Sequence, residues 1–122
     1  MSVEIRILIE DLVLDAEFYE TPCAKAVTAL LPLEASPNVW GDEFYFTVPL
    51  AMPLDETATV AVKVGDIGYW PPGKALAIFF GPTPVSTGTD PVPASEVNLI
   101  GKIVGDASLL RHHKKAQHIR IE

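Results

Sequence analysis

Two segments near the start of the chain alternate apolar and polar residues with a period of two. Residues 3–9 read VEIRILI and residues 12–18 read LVLDAEF, so every second side chain in each segment is apolar. This alternation is typical of a strand with one buried face. The acidic pair Glu10-Asp11 separates the two runs and indicates a turn. The opening of the chain is therefore predicted to form a β-hairpin.

The next segment, TPCAKAVTALL, changes from the strand period to the helix period. Thr21 can cap a helix whose first turn begins with Pro22, and Pro32 cannot continue it. A helix over residues 22–31 is therefore predicted, and its apolar face holds Cys23, Val27, Leu30 and Leu31.

The remainder of the chain is dominated by further short strands. Alternating or continuous apolar runs predict them around residues 40–48, 60–64, 75–80, 97–104 and 119–121. The run ALAIFF at 75–80 is apolar on both faces, which indicates a central strand. Gly101 interrupts its strand and predicts a bulge or a close backbone approach. A short helical turn is predicted at 108–113, and the unusually long loop 85–96 is expected to cover something.

About eight short strands with proline and glycine corners favour a closed or nearly closed barrel, because closure removes exposed strand edges. A chain of 122 residues has the length of one domain. We therefore interpret residues 1–122 as a single, mainly β domain with one or two short helices.

The charge of the chain narrows the classes of partner. Nine Lys and Arg against sixteen Asp and Glu give a net charge of −7, which repels nucleic acid and anionic membranes. No apolar run reaches the length of a membrane span, and no secretion signal is recognised. Cys23 is the single cysteine, so the fold holds no internal disulfide and a cytoplasmic location is expected.

The stretch GDIGYWPPGKALAIFFGPTP, residues 65–84, carries the resemblance to a known family. Together with VEIRILIEDLVLDAEFYETPCAKAVTALL at 3–31 and VNLIGKIVGD at 97–106, it resembles the cyclophilins in order and spacing. The pairing of GDIGYWPPG with FFGPTP is similar to small, atypical prokaryotic cyclophilin-like proteins of unassigned function. The resemblance implies a closed eight-stranded antiparallel β-barrel with one or two short helices.

The same resemblance implies that the prolyl isomerase site is altered. When FYFTVPLAM at 44–52 is laid on the cyclophilin pattern, the catalytic arginine falls on Phe46. A phenyl ring cannot donate a hydrogen bond to the prolyl nitrogen of a substrate. Other polar or pocket positions of the family fall on Ala51, Pro71, Ile78 and Val97, whereas Met52 and Phe80 are retained.

Several residues outside that pattern are candidates for binding or acid–base chemistry. Tyr69 and Trp70 combine an apolar body with a polar tip and stand beside a rigid Pro-Pro-Gly corner, or they fill the barrel mouth. Lys74 is the adjacent cation. Glu43 is the better acid–base candidate among the acidic residues, since Asp66 follows a glycine as turn residues do.

The histidines and the cysteine are interpreted as residues without a role in binding or catalysis. His112 and His113 are adjacent and point apart on regular structure, and His118 has no ligand partner at metal spacing, so all three are interpreted as solvated. Cys23 is interpreted as a packing residue. No metal site and no cofactor are predicted.

The sequence therefore predicts a non-catalytic binding module for a small molecule or an extended peptide. An alternative is a prolyl isomerase with weak or altered activity. The expected ligand-binding residues are Trp40, Phe46, Met52, Tyr69, Trp70 and Phe80, and the candidate catalytic residues are Glu43, Tyr69 and Lys74. The oligomeric state is left open.

Overall fold

A computed structural model describes residues 2–122. It contains nine strands, one α-helix and two 3₁₀-helical segments, Pro71–Gly73 and Ala107–His113. The strands are β1 Val3–Ile9, β2 Leu12–Phe18, β3 Leu33–Ala35, β4 Asn38–Val39, β5 Glu43–Thr47, β6 Asp66–Trp70, β7 Ala75–Phe79, β8 Asn98–Val104 and β9 Ile119–Ile121; the helix is α1 Pro22–Thr28. Within the described residues, no helix is long and apolar enough to span a membrane.

All nine strands belong to one antiparallel sheet in the order β3-β9-β1-β2-β8-β6-β7-β5-β4. The prediction of a closed eight-stranded barrel is therefore wrong in its strand count and in its closure: the sheet is an open half-barrel. The two edge strands β3 and β4 are separated by only two residues of chain, 36–37, so the edges approach each other there. Strands of three and two residues are too short to build a closing ladder.

The predicted hairpin is confirmed. β1 pairs with β2 from Val3 opposite Phe18 to Ile9 opposite Leu12, and the turn holds Glu10 at a φ of 53°. The alternating apolar residues of both strands enter the main core, whose buried members here are Ile5, Ile7, Ile9, Leu14, Ala16 and Phe18. The period-two pattern succeeded because one face of the hairpin is buried and the other is not.

The helix begins where predicted but ends three residues earlier. The Thr21 side chain accepts a hydrogen bond from the backbone N–H of Ala24, as expected for a cap. After Thr28 the chain tightens, because Leu31 donates to the carbonyl oxygen of Thr28 three residues back. Cys23 is fully buried in the core, in agreement with its interpretation as a packing residue.

The strand predicted over residues 60–64 is absent, and this prediction was wrong. Val62 is buried, but Val60 and Val64 are about half exposed. Side chains take the backbone N–H groups that a ladder needs: Ala61 donates to Thr59 Oγ1, and Lys63 donates to the Asp66 carboxylate. Such local bonds compete with sheet pairing. The second of them confirms that the Asp66 side chain accepts a backbone N–H bond at the turn that leads into β6.

Central strands of the sheet are covered on both faces. β7 is buried along its whole length, as the run ALAIFF predicted. One face of β7 enters the main core, while Ala77 and Phe79 on the opposite face pack with Val62 and Val97 in a second, smaller cluster. In β8, Gly101 lies against the backbone of Glu17, where a Cβ atom would overlap the Glu17 carbonyl oxygen. The predicted close approach is confirmed.

Candidate functional site

A cavity of about 250 Å³ opens on the outer face of the sheet, opposite the main core. β5, β7 and the end of β6 form its floor and walls, and the loop 85–96, here called the roof loop, covers one side. The lining residues are Trp40, Glu43, Tyr45, Trp70, Ala77, Phe79, Pro93, Ala94 and Val97. The roof loop therefore covers a cavity, as its length predicted.

The register of the sheet explains why space remains at this point. Ala77 of β7 stands directly between Tyr45 of β5 and Gly68 of β6. Val97 packs over Gly68, where a Cβ atom would come within 2.8 Å of its side chain, so the depression between the larger side chains of the neighbouring rows lies over the small Ala77. The cavity is thus a consequence of strand register and residue size, and it needs no movement of the backbone to form.

Among the described residues that line the cavity, Glu43 supplies the one carboxyl group. It is only 7% exposed, and its Oε1 is buried without a hydrogen-bond partner. Burial disfavours the charged form and raises the pKa of Glu43 from 4.5 to about 7. The two other buried polar residues of the described chain, Thr83 and Asn98, both have partners. The carboxyl of Glu43 is therefore the unsatisfied group of this structure.

Trp70 is held in place from two sides. Its Nε1 donates a hydrogen bond to Ser95 Oγ of the roof loop at 2.7 Å. Its six-membered ring lies over Gly73, where any Cβ atom would come within 2.7 Å of the indole. The Pro-Pro-Gly corner therefore fixes the indole as part of a preformed wall.

Two side-chain hydrogen bonds hold the roof loop in place, one from Thr83 just before the loop and one within it. Thr83 Oγ1 donates to the carbonyl oxygen of Val92, and Ser86 Oγ donates to the carbonyl oxygen of Asp90 at 2.8 Å. Pro93, within the loop, is itself buried. A loop with this many internal contacts loses little entropy when a ligand binds under it, so the cavity is preorganised.

The structure divides the six expected ligand-binding residues between the two faces of the sheet. Trp40 and Trp70 line the cavity. Phe46, Tyr69 and Phe80 are at most 2% exposed and lie in the main core, and Met52 packs against that core from the loop before β6. The structure therefore does not bring the six together.

The three candidate catalytic residues are likewise separated. Tyr69 points to the core side, where its hydroxyl donates to the carbonyl oxygen of Leu50 and accepts from the backbone N–H of Met52. Lys74 is exposed on the turn after the Pro-Pro-Gly corner. Only Glu43 lines the cavity, so no acid–base pair is assembled from these three.

Sequence reasoning missed six of the lining residues: Tyr45, Ala77, Phe79, Pro93, Ala94 and Val97. A signal for Tyr45 was present, because it stands two residues after Glu43 in a strand and must share its face. Phe79 faces Glu43 directly across the ladder. Pro93 and Ala94 belong to the roof loop, whose path the residue pattern does not specify.

The histidines do not form a cluster. His113 Nδ1 lies 2.8 Å from Glu10 Oε1, and His118 Nε2 lies 3.3 Å from Glu34 Oε1. His112 is exposed. Over residues 2–122, no group of three or more His, Cys, Asp or Glu side chains is placed to hold a metal ion.

A second cleft, of about 650 Å³, lies on the outer face of β1, β2 and β8. Its borders are mostly charged side chains, and several are engaged with one another: Arg6 pairs with Glu122, and Lys102 pairs with Glu17. The charged side chains of this cleft are either paired or exposed to solvent, and none in the described chain is buried without a hydrogen-bond partner. The cavity beside Glu43 is therefore the stronger candidate site.

Comparison with known proteins agrees with this architecture. The model of a family described as cyclophilin-like matches residues 3–122. The solution structure of the hypothetical protein AF2241 from Archaeoglobus fulgidus is similar to this chain, with 36% sequence identity, a TM-score of 0.80, and coverage of 99% of this chain and 94% of that chain. None of the curated proteins compared with the chain matches it. The family match spans nearly the whole chain, and the protein therefore belongs to the cyclophilin-like family.

Proposed function

We propose that this protein is a non-catalytic, cytoplasmic binding module whose outer-face cavity holds a small molecule or one side chain of an extended peptide. The observation that carries the proposal is the preformed, largely apolar cavity in which the buried Glu43 oxygen lacks a partner. Cavities of this composition with a few polar groups are the usual form of ligand sites. A volume of about 250 Å³ favours a small ligand group over a drug-sized molecule.

Both tryptophans of the chain line the cavity, so intrinsic fluorescence reports on its occupancy. We expect titration with a panel of metabolites and proline-containing peptides to identify a ligand that changes the Trp emission. Ala94→Phe should lower the affinity for that ligand at least about tenfold, because the larger side chain at this exposed lining residue blocks the cavity. Thr87→Phe, in the exposed part of the same roof loop, is the matched control and should bind normally.

A result in which no panel member changes the emission would contradict the proposal. So would equal affinities of the Ala94→Phe and Thr87→Phe variants, because binding would then lie elsewhere.

Family membership favours prolyl isomerisation as the second candidate function. Our proposal excludes it on the chemistry of the cavity: of the nine lining residues in the described chain, none is an arginine or lysine that could donate to a prolyl nitrogen. Phe46, on which the family's arginine falls, lies in the core, and its outward neighbour is Tyr45.

In a protease-coupled assay, we expect an X-Pro peptide to relax at its uncatalysed rate, over tens to hundreds of seconds. If the protein accelerates isomerisation, and Ala94→Phe removes the acceleration while Thr87→Phe retains it, the protein is an isomerase and the proposal of a non-catalytic binding module is wrong.

A further inference from the structure

The unpartnered oxygen of Glu43 indicates what the occupant of the cavity must carry. Every other buried polar side chain of residues 2–122 has a donor or acceptor from the protein itself. An acceptor without a protein partner in an apolar pocket is satisfied by water or by a donor that enters with the ligand, and a ligand that displaces water must replace its hydrogen bond. The ligand should therefore bring an N–H or O–H group to Glu43.

The distribution of charge favours a donor that is positive. Arg111 and Lys114 both pair at 2.9 Å with Asp42, the residue before Glu43, and no cation of residues 2–122 forms an ion pair with Glu43 itself. No basic residue lies in the described lining of the cavity. The net charge of −7 further attracts cations and repels anions.

Four aromatic side chains border the same small cavity as Glu43: Trp40, Tyr45, Trp70 and Phe79. Aromatic rings around a cation supply electrostatic attraction while they shield it from water. Aromatic residues around a single carboxyl group favour an ammonium over a neutral hydroxyl. The hydroxyl gains only the hydrogen bond, whereas the ammonium also gains attraction to the carboxylate and to the aromatic faces.

We propose that the cavity recognises a protonated primary or secondary amine attached to a small apolar group, with its N–H donating to Glu43. The inference rests on the proposed binding function and specifies its ligand class. The amine belongs either to a free small molecule or to a lysine side chain, and a volume of about 250 Å³ accommodates both.

Ammonium binding at this site should depend on pH, because it is linked to the ionisation of Glu43. The pKa of Glu43 is about 7 in the empty cavity, and an ammonium binds only the ionised form. Binding at pH 7 should therefore release about half a proton, and the affinity should fall about tenfold from pH 8 to pH 6. Among the described lining residues, the other ionisable side chain is that of Tyr45, and the carboxylate of the adjacent Asp42 is paired with Arg111 and Lys114.

The test compares 3-methylbutylammonium with 3-methyl-1-butanol, which has the same apolar body and an uncharged donor. In Trp fluorescence titrations at pH 8, we expect the ammonium to bind at least about tenfold more tightly. Glu43→Gln should remove that preference. Glu56→Gln removes one exposed carboxylate outside the cavity and should retain it, which controls for net charge. Calorimetry in two buffers of different ionisation enthalpy measures the proton release.

Each outcome decides something. Equal binding of ammonium and alcohol, or proton uptake on binding, would overturn the ammonium inference while the binding function stands. If neither probe binds but another panel compound does, the inference fails alone; if nothing binds, both fail. Blocked tripeptides with lysine or norleucine at the centre then identify the source: preference for the lysine peptide over the free amine indicates a peptide ligand.

Discussion

Ionisation of Glu43 is expected to lower the free energy of unfolding by about 2–3 kcal/mol as the pH rises from 5 to 8. The Glu43→Gln variant is expected to lose that part of the pH dependence. The cause is the raised pKa, from 4.5 in an exposed carboxyl to about 7 in the cavity. Desolvation is responsible, and no nearby cation offsets it. The effect is large against the 5–15 kcal/mol by which domains of this kind are stable.

The sign follows from the proton balance. Between pH 4.5 and pH 7 the unfolded chain has lost the Glu43 proton while the folded chain retains it, so the folded state loses stability as the pH rises. Urea unfolding of wild type, Glu43→Gln and Glu56→Gln at pH 5, 6, 7 and 8 measures the difference. The shared contribution of Asp66, whose pKa is also raised by burial, cancels in this comparison. Parallel curves for wild type and Glu43→Gln would refute the prediction.

This cost bears on function. A buried carboxyl that destabilises the fold and contacts no partner in the described chain has no structural role that would explain it. Asp42, the preceding residue, shows the contrast, since it joins Arg111 and Lys114 and so ties the β5 edge to the C-terminal part of the chain. Strain or unsatisfied polarity retained at one point of an otherwise satisfied fold is characteristic of a binding site.

The residue pattern predicted those parts of the fold in which one face is buried and the other wet. The hairpin of β1 and β2 is of this kind, and the continuous apolar run ALAIFF likewise predicted β7, which is buried on both faces. It failed at 60–64, where Thr59 and Asp66 side chains capture the backbone donors. It also failed on closure, because strand pairing at the edges β3 and β4 depends on lengths of three and two residues that no periodicity encodes.

The sequence grouped candidate residues that the structure separates for a different reason: it does not show on which face of the sheet each side chain lies. In β5, β6 and β7 both faces carry large apolar residues, so alternation does not indicate which face is the core. The sequence-based set mixed Trp70 of the outer face with Tyr69 of the inner one, although neighbours in a strand point in opposite directions. A shift of one residue exchanges the whole set. The aromatic pair could be recognised from sequence, but its division between the two faces could not.

Phe80 makes that division testable. Its ring is fully buried and lies 4.7 Å from the ring of Phe44, on the core side of the sheet. Phe80→Ala should therefore lower the free energy of unfolding by about 3–5 kcal/mol, since it removes a buried ring and leaves a cavity. Urea unfolding at pH 6 measures the loss, and Val85→Ala, at an exposed residue, should change stability by less than about 0.5 kcal/mol.

The paired leucine variants separate stability from binding. Phe80→Leu keeps most of the buried volume, so the variant should fold and bind the cavity ligand with wild-type affinity. Trp70→Leu removes a wall of the cavity and the hydrogen bond to Ser95, so it should weaken the ligand at least about tenfold. Trp40 remains as the fluorescent reporter in both variants. If Phe80→Leu loses binding and Trp70→Leu retains it, the ligand occupies the inner face and the outer-face cavity is not the site.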